Sequence, residues 1–569
     1  MSSEWDTMKL EKIQVQDWDG LASSLLGVNT KHLDMRNVLM PDNREVRKTW
    51  RSDCVRALSK INTLVKLDLC RCSSDFLEEI VAVCPQLEYI SARAIKNSQI
   101  NMTNLGNCQN LIELNIKGLE GMTVINVSVL MNLTKLKHLS LITVKNMVEV
   151  LEVVGKMTQL ESLELGEMIN VAETHVIQGF SQLTKLTRLR LEKGKLDCPT
   201  NAIMQTISKL PSLNHLELIN FDITKEFEAF VGKCSNISTP LLVPINAIQV
   251  NTLVKLNLCR CTSKVLEQIA AICPQLEYIS ARAIKSRQIS LTNLRNCSNL
   301  TELKLRGLEE LKVEDVSVLL NLNKLNHLSL TVVKNMAEVL ELVGKMTQLE
   351  SLELGEMIRV TQTHVILGLS QLTKLRRLRL EKGQQDCPTD AILRTISLLP
   401  SLIQLELINF DVKAGFEVSL ARCSNIRILF MIPTYVTQSA HTNHFVIEGV
   451  SKLNKTLNYF VWGLTLELLK VTDLFINQWE MGQKMKSANN PTQYPTQNPQ
   501  ENVEGDSIPI MNPAITDCME KEGVVMQVDV LRLPKVHKLL TTRLPNTKIL
   551  ILKIPFSATW RQTISGVNY

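Results

Sequence analysis

Apolar residues recur in this chain at offsets of three, two and three. Leu64, Leu67, Leu69 and Cys72 fill the frame L-x-x-L-x-L-x-x-C. The frame restarts at Leu87, Leu111, Leu136, Leu160, Leu186 and Leu213, with a worn copy at Ile237, at intervals of 23 to 27 residues. Its central alternation predicts a short strand, because successive side chains of a strand point to opposite faces. In LKHLSLI at 136–142, Leu139 and Leu141 point inward, while His138, Ser140 and Ile142 point outward. The rest of each unit reads as a helix: EVLEVVGKM at 149–157 sets Val150, Leu151, Val153 and Val154 near one stripe. One strand and one helix cannot bury their own apolar faces, but a stack of many such units can.

The stack is written twice. Residues 62–237 return at 251–426 with a constant offset of 189. CPQLEYISARAIK at 84–96 returns unchanged at 273–285, and GKMTQLESLELGEMI at 155–169 returns unchanged at 344–358. The second series starts at Leu253 and continues at 276, 300, 325, 349, 375, 402 and 426. These periods fall in the range of leucine-rich repeats. The chain resembles that superfamily over roughly residues 30–470. Within it, LVKLDLCRC, CPQLEYIS and NCQNLIELNI resemble the cysteine-containing subtype of F-box/leucine-rich-repeat proteins. The resemblance implies an α/β leucine-rich repeat solenoid, a curved horseshoe with a parallel sheet on the concave side and helices on the convex side. It specifies fold far more than function, since one solenoid hosts many activities.

Along the chain, residues 1–61 read as an N-terminal cap and a first weak repeat. KLEKIQVQDWDGLASSLLG carries apolar residues at helical spacing and predicts a helical cap within 1–29. Thr30, Leu33, Met35 and Val38 mark the weak repeat, and 40–60 is a charged helical stretch. Repeat block one spans 62–250, and block two, with degenerate last repeats, spans 251–480. Pro240 and Pro244 predict an irregular joint at 237–253, because proline sits badly inside a strand or helix. The Asn/Pro/Gln-rich residues 481–515 predict a disordered loop. A closing repeat is expected over 516–569, where RLPNTKILIL at 543–552 parallels KLPSLNHLEL at 209–218. The most apolar long stretch, 460–479, carries Glu467, Lys470 and Asp473, which makes it a buried or capping helix rather than a membrane span.

Composition adds limits. Aromatic residues are only 4%, as expected of a core filled by leucine ladders, and a net charge of +6 is mild for 569 residues. The N-terminal residues contain no apolar signal region, so the expected location is cytoplasmic, nuclear or both. Twelve of the fourteen cysteines are six positions counted twice, which suits small buried packing residues better than disulfides. The pairs Cys70/Cys72 and Cys259/Cys261 lie eight repeats apart, on the order of 40 Å, too far to share a metal. His441 and His444 form an isolated H-x-x-H, read as part of a solvated loop. No phosphate-cradling glycine loop, nucleophile elbow or kinase signature is present. No catalytic residue, cofactor or metal ligand is assigned, and the expected class is not an enzyme. Pairs such as Arg190 and Glu192 read as surface ladders.

The outward strand positions are the informative surface. Block one presents Lys66, Asp68, Arg93, Glu113, Lys117, Glu164, Arg188, Arg190, Glu192 and Glu217. Block two presents Lys255, Arg282, Glu302, Lys304, Arg306, Glu353, Arg377, Arg379, Glu381 and Glu406. Asp68 becomes Asn257 and Asn115 becomes Lys304, so the second block is slightly more basic. Exposed Arg and Tyr are typical interface anchors. The candidate partner-binding residues are therefore Tyr89, Arg93, Lys117, Arg188, Arg190, Tyr278, Arg282, Lys304, Arg306, Arg377 and Arg379. A mixed-charge face of this kind predicts a protein partner. The alternative is RNA or another acidic polymer held by the concave Arg and Lys residues, but the interleaved Glu164, Glu192, Glu353 and Glu381 disfavour nucleic acid. The family resemblance implies substrate recruitment for a ubiquitin ligase, with ligase adaptor subunits held by the N-terminal segment. The chain departs from that pattern: about 29 residues precede the weak repeat, and the Leu-Pro expected near the start of an F-box is missing. The segment at 40–60, with Trp50 and Cys54, would be at most a remnant, so a competitor or regulator of a ligase is the related expectation.

Overall fold

The inward leucines stack as the alternation predicts. A computed structural model describes residues 7–11, 14–41, 43–168, 170–194, 198–221, 253–357, 359–383, 388–434, 439–465, 468–476 and 534–553. The chain divides into two units, Met1–Lys285 with Asn296–Leu300, and Ser286–Arg295 with Thr301–Tyr569.

The first unit contains β1 (Thr7–Glu11), β2 (His32–Asn37), β3 (Lys66–Cys70), β4 (Tyr89–Ile95), β5 (Gln99–Asn101), β6 (Glu113–Ile125), β7 (His138–Val144), β8 (Ser162–Leu165), β9 (Arg188–Glu192), β10 (His215–Ile219), β11 (Lys255–Cys259) and β12 (Tyr278–Ile284). All but β5 follow one another in a parallel sheet. The register aligns Leu114, Leu139, Leu163, Leu189, Leu216 and Leu256 in one ladder and Ile116, Leu141, Leu165, Leu191, Leu218 and Leu258 in a second. Every member is buried. A one-residue slip would turn both ladders to the opposite face, so burial fixes the register.

The second unit contains β13 (Gln288–Ser290), β14 (Glu302–Glu314), β15 (His327–Val333), β16 (Ser351–Met357), β17 (Arg377–Lys382), β18 (Gln404–Phe410), β19 (Ile428–Pro433), β20 (Tyr459–Leu464) and β21 (Lys548–Lys553). From β14 to β21 these strands are again parallel and consecutive. Both units are leucine-rich repeat solenoids of the α/β class.

Helices connect the strands and bury one stripe against the ladder. In Met147–Val154, the buried residues are Met147, Val150, Leu151, Val153 and Val154. This is the stripe expected, although the helix ends at Val154, within one turn of Met157, with Gly155 as its cap. That glycine permits close helix packing. A Cβ on it would collide with the Gln178 carbonyl oxygen and stand 3.2 Å from the Gly179 Cα. Gly344 makes the same approach to Leu367 and Gly368 in the second copy.

Several local expectations are corrected. The N-terminal residues are not helical throughout. Met8 and Leu10 alternate with polar neighbours, and β1 pairs with the weak repeat strand β2, followed by a helix at Trp18–Gly27. That helix starts where Asp17 accepts a hydrogen bond from the Gly20 amide. The 40–60 stretch is helical over Arg44–Lys60, capped by Asn43. Two repeats of each copy replace the helix with 3-10 turns, at Thr292–Asn296 and Val316–Asn321 in the second and at Thr103–Asn107 and Val127–Asn132 in the first. There the strand runs on through Ile125 and takes the short β5 alongside it. Asn146 clamps this extension, donating to the Val124 carbonyl at 2.8 Å and accepting from the Val124 amide at 2.9 Å. Asn335 repeats both bonds on Val313. The apolar stretch at 460–479 is not one helix. It begins as β20 and turns helical at 468–476. No helix among the described residues is long and apolar enough to cross a membrane.

At the seam, β10 pairs directly with β11, so His215 stands beside Lys255. The worn frame at Ile237, the joint at Pro240 and Pro244, and the 481–515 segment lie outside the described residues. The closing repeat is described over 534–553, where the helix Pro534–Arg543 precedes β21.

Replacing Gly155 with Ala should lower unfolding stability by about 1–3 kcal/mol, since the added methyl overpacks backbone rather than a mobile side chain. Urea denaturation checks this, with exposed Lys156→Ala expected to stay within about 0.5 kcal/mol.

Candidate ligand-binding face of the sheet

The sheet face opposite the helices carries the polar strand positions in rows set by the register. In the first unit one row reads Glu113, His138, Ser162, Arg188, His215 and Lys255. The next reads Asn115, Ser140, Glu164, Arg190, Glu217 and Asn257. Ser140 and Ser162 are short, while Glu113, His138, Glu164 and Arg188 rise around them. The result is a shallow pocket of about 190 Å³ lined by these six residues together with Leu114, Asn115 and Leu139. Arg188 reaches Glu164 at 3.4 Å, and Arg190 reaches Glu192 at 3.2 Å and Glu217 at 3.6 Å. Ser140 donates to Glu164 at 3.2 Å.

Of the candidate residues in this unit, Arg93, Lys117 and Arg188 are exposed, and Tyr89, Arg190, Tyr278 and Arg282 are half-buried. Arg188 and Arg190 lie in adjacent rows beside the pocket. Tyr89 stands next to Glu113 in register, while Arg93 stands level with Cys70 at the far end of its strand.

The second unit repeats the rows with different surroundings. Glu302, His327, Ser351 and Arg377 form one row, and Lys304, Ser329, Glu353 and Arg379 form the next. Lys304 reaches Glu302 at 2.8 Å, Arg377 reaches Glu406 at 3.0 Å, and Arg379 reaches Glu353 at 3.3 Å. Lys304, Arg306 and Arg377 are half-buried.

A surface ladder was expected here, but Arg379, Glu381 and Glu406 are only 8%, 5% and 8% exposed. The physical reason lies in the continuation of their rows. The Arg379 and Glu406 row passes into Phe430, Val461 and Leu550, and the Glu381 row passes into Ile408 and Ile432. Phe430 packs against two apolar clusters, Ile408 with Ile432, and Val461 with Leu550 and Leu552. The outward chemistry changes from charged to apolar, and the charged residues nearest the change are buried with it. The sequence signal for the change is Phe430, which takes an outward position where earlier repeats place polar residues such as Asn115, Ser140, Glu164 and Glu217.

Burial shifts titration. Desolvation pushes the Glu381 carboxyl up to about 7, against the pull of Arg379 and Arg306. Burial also acts to raise Glu353, but Arg379, Arg377 and Lys304 outweigh it and hold that carboxyl below its ordinary value. In the first unit His215 stands between Arg188 and Lys255, and burial with these two cations lowers it to about 4.

Most of the described cysteines pack inward, while Cys70, Cys198 and Cys259 are half-buried. Cys72, Cys84, Cys108, Cys261 and Cys297 are buried. Burial raises the Cys72 thiol to about 11 and the Cys261 thiol to about 12, so both stay protonated near neutrality. Cys108 donates weakly to the Cys84 carbonyl at 3.6 Å, and Cys297 does the same to the Cys273 carbonyl at 3.6 Å. Among the described residues, no group of three or more His, Cys, Asp and Glu is placed to hold a metal ion.

His441 and His444 are not in a loop. They lie in the helix Ala440–Ser451, whose start is fixed by Ser439 and Thr442. The His441 ring stands 4.6 Å from that of Phe445, and the His444 ring 5.9 Å from that of Phe475. Burial lowers the His444 imidazole. Trp50 and Cys54 are likewise structural. Trp50 stacks edge-on to Trp18 at 5.2 Å and donates to the Val15 carbonyl at 2.9 Å, and Cys54 is fully buried.

The periodic strand–helix units define the chain as a leucine-rich repeat protein by fold. No family model matches it, and no curated protein matches it. Among solved structures it is similar to an internalin from Listeria monocytogenes, at 18% identity and a TM-score of 0.35, over 66% of this chain and 89% of that one. It is also similar to the TLR13-ssRNA13 complex, at 16% identity and a TM-score of 0.42, over 82% of this chain and 76% of that one.

Two pH responses follow. His215 has a folded value below its unfolded one, so its contribution is present above about pH 6.5 and is lost as pH falls toward 4. His215→Gln, the residue found at position 404, should flatten the acid side of the stability profile in that window. Glu381 has a folded value above its unfolded one, so its contribution is present below about pH 4.5 and is lost as pH rises through 7. Glu381→Gln should match the unaltered chain at pH 5 and exceed its stability at pH 8 by roughly 2 kcal/mol. Chemical denaturation at the two pH values checks the difference.

Proposed function

We propose that the chain is a non-enzymatic scaffold that holds a partner protein on the open face of its sheet. The observation that supports this reading most is the first-unit face itself. Exposed Arg188 stands with Glu113 and Glu164 around a shallow pocket, and exposed Arg93 and Lys117 lie further along neighbouring strands of the same face, on strands whose register is locked by the buried ladders. Rigid strands present such side chains at little entropic cost on binding. The charges are mixed and partly paired, as in Arg188–Glu164 and Arg190–Glu217. Phosphate binding favours uncompensated positive charge, so a protein suits this face better than a nucleic acid.

The finer reading, in line with the F-box-like repeat pattern, is recruitment of substrates to a ubiquitin ligase or regulation of one. Trp50 and Cys54 are spent on packing. An adaptor contact would therefore use the exposed side of the helix Arg44–Lys60, including Val46 and Lys48. The protonated, buried thiols of the repeats suit a cytoplasmic or nuclear setting.

The test is a combined Tyr89→Ala, Arg93→Ala, Lys117→Ala and Arg188→Ala variant of the full chain. Binding of the partner recovered from native cells should weaken on the order of a hundredfold. Unchanged binding would remove the open face from consideration. A steep loss of affinity with rising salt would instead favour an acidic polymer. Recovery of ligase adaptor subunits that is lost on Val46→Asp would support the finer role.

A further inference from the structure

The two copies of the repeat block differ at one position that controls the pocket. In the first unit Asn115 stands beside Glu113, and among the described residues no cation pairs with that carboxylate. In the second unit the counterpart of Asn115 is Lys304, whose ammonium lies 2.8 Å from Glu302, the counterpart of Glu113. Lys304 also acts on Glu353, the counterpart of Glu164, holding its carboxyl down together with Arg379 and Arg377. The second copy thus supplies from its own chain an ammonium that pairs with one of these carboxylates and helps to hold the other, which lies one strand beyond Ser329 in the same row, ionised. The first copy keeps both carboxylates, Glu113 and Glu164, and both short floor residues, Ser140 and Ser162. It replaces the lysine with an amide and leaves a pocket of about 190 Å³.

We propose that the first-unit pocket is the receptor for a lysine side chain of the partner protein, whose ammonium would pair with Glu113 and Glu164 as that of Lys304 serves the second copy. The inference deepens the scaffold reading and rests on it. An ammonium fits better than a guanidinium for a geometric reason. Its three donors leave one point in divergent directions, which matches a carboxylate on each side and hydroxyls below, whereas a planar fork favours one carboxylate face-on. Arg188 already contacts one oxygen of Glu164 at 3.4 Å and Ser140 donates to the other at 3.2 Å, so a single ammonium donor adds there more readily than a bidentate fork that needs both oxygens.

The experiment uses the full chain and Nα-acetyl-lysine methylamide as the probe, with the His138 ring resonances as the readout. The unaltered chain should show saturable shifts with a dissociation constant on the order of millimolar. The Nε-acetylated analogue should give none, because it lacks the charge. Asn115→Lys installs the residue that the second copy already tolerates, and it should weaken probe binding at least about tenfold, as should Glu113→Gln. Lys304→Asn should create a second site of similar affinity, read at His327. That gain keeps the idea open to refutation even where Asn115→Lys folds poorly. The proposal is overturned by an absence of saturable shifts, by equal binding of the acetylated analogue, by tighter binding of the arginine counterpart, or by indifference to Glu113→Gln. Failure of the probe, with partner binding still lost in the Tyr89, Arg93, Lys117 and Arg188 variant, would sink the lysine pocket alone. Probe binding without any effect of that variant on the partner would sink the scaffold reading instead.

Discussion

The inward apolar ladder is the constraint on which everything else depends. Leu139, Leu163, Leu189 and Leu216 touch in register, and each is buried. A parallel sheet built this way has no freedom to slide, because a slip of one residue would expose two ladders at once. The open face inherits that rigidity. Glu113, His138, Ser162 and Arg188 form a row because Leu114, Leu139, Leu163 and Leu189 do. Any chemistry on the open face is therefore positioned from behind.

Most of the architecture was legible because the ladder writes itself as a period. The strand frame at Leu136 gives β7, the frame at Leu160 gives β8, and the weak repeat at Leu33 and Met35 gives β2. Less legible were features that depend on what lies next door. The strand β1 is only five residues long, and its Leu10 also fits the helical spacing of the segment from Lys9 onward. The 3-10 turn at Val127–Asn132 replaces a helix because β6 runs on to Ile125 and consumes the residues a helix would need. His441 and His444 looked isolated in sequence, but Phe475, some thirty residues on, packs against both rings. The open-face charges were placed correctly on their rows. Their burial at Arg379, Glu381 and Glu406 was not foreseen, since it follows from apolar row-mates on later strands.

Two of the outward substitutions that separate the copies, Asp68 to Asn257 and Asn115 to Lys304, have local electrostatic reasons. Asp68 lies 2.6 Å from His32, a partner that accommodates a carboxylate. Its counterpart Asn257 stands in register beside Glu217 and donates to it at 3.1 Å. A carboxylate at 257 would face that of Glu217 directly, and like charges opposite each other on a sheet are destabilising. The change to Asn replaces repulsion with a hydrogen bond. Lys304 follows the same rule from the other direction, since it neutralises Glu302 beside it on the same strand.

The ladder also explains why function can diverge between copies while the fold does not. Inward residues answer to neighbours on both sides, so a change there is felt by three strands. Outward residues answer mainly to their own row. In the second unit the row beginning at Glu353 and Arg379 ends in Phe430, Val461 and Leu550. Arg379 and Glu406 in it are buried, Glu353 is half-buried, and Arg379 is engaged with both carboxylates. The corresponding row of the first unit, Asn115, Ser140, Glu164 and Arg190, meets no such apolar continuation through β11, where Asn257 follows Glu217. One copy satisfies these charges internally, whereas among the described residues no cation pairs with Glu113 in the other, and the proposed recognition therefore falls to the first copy. Desolvating Glu302 would require breaking an existing ion pair, whereas a cationic partner at Glu113 would form a new one.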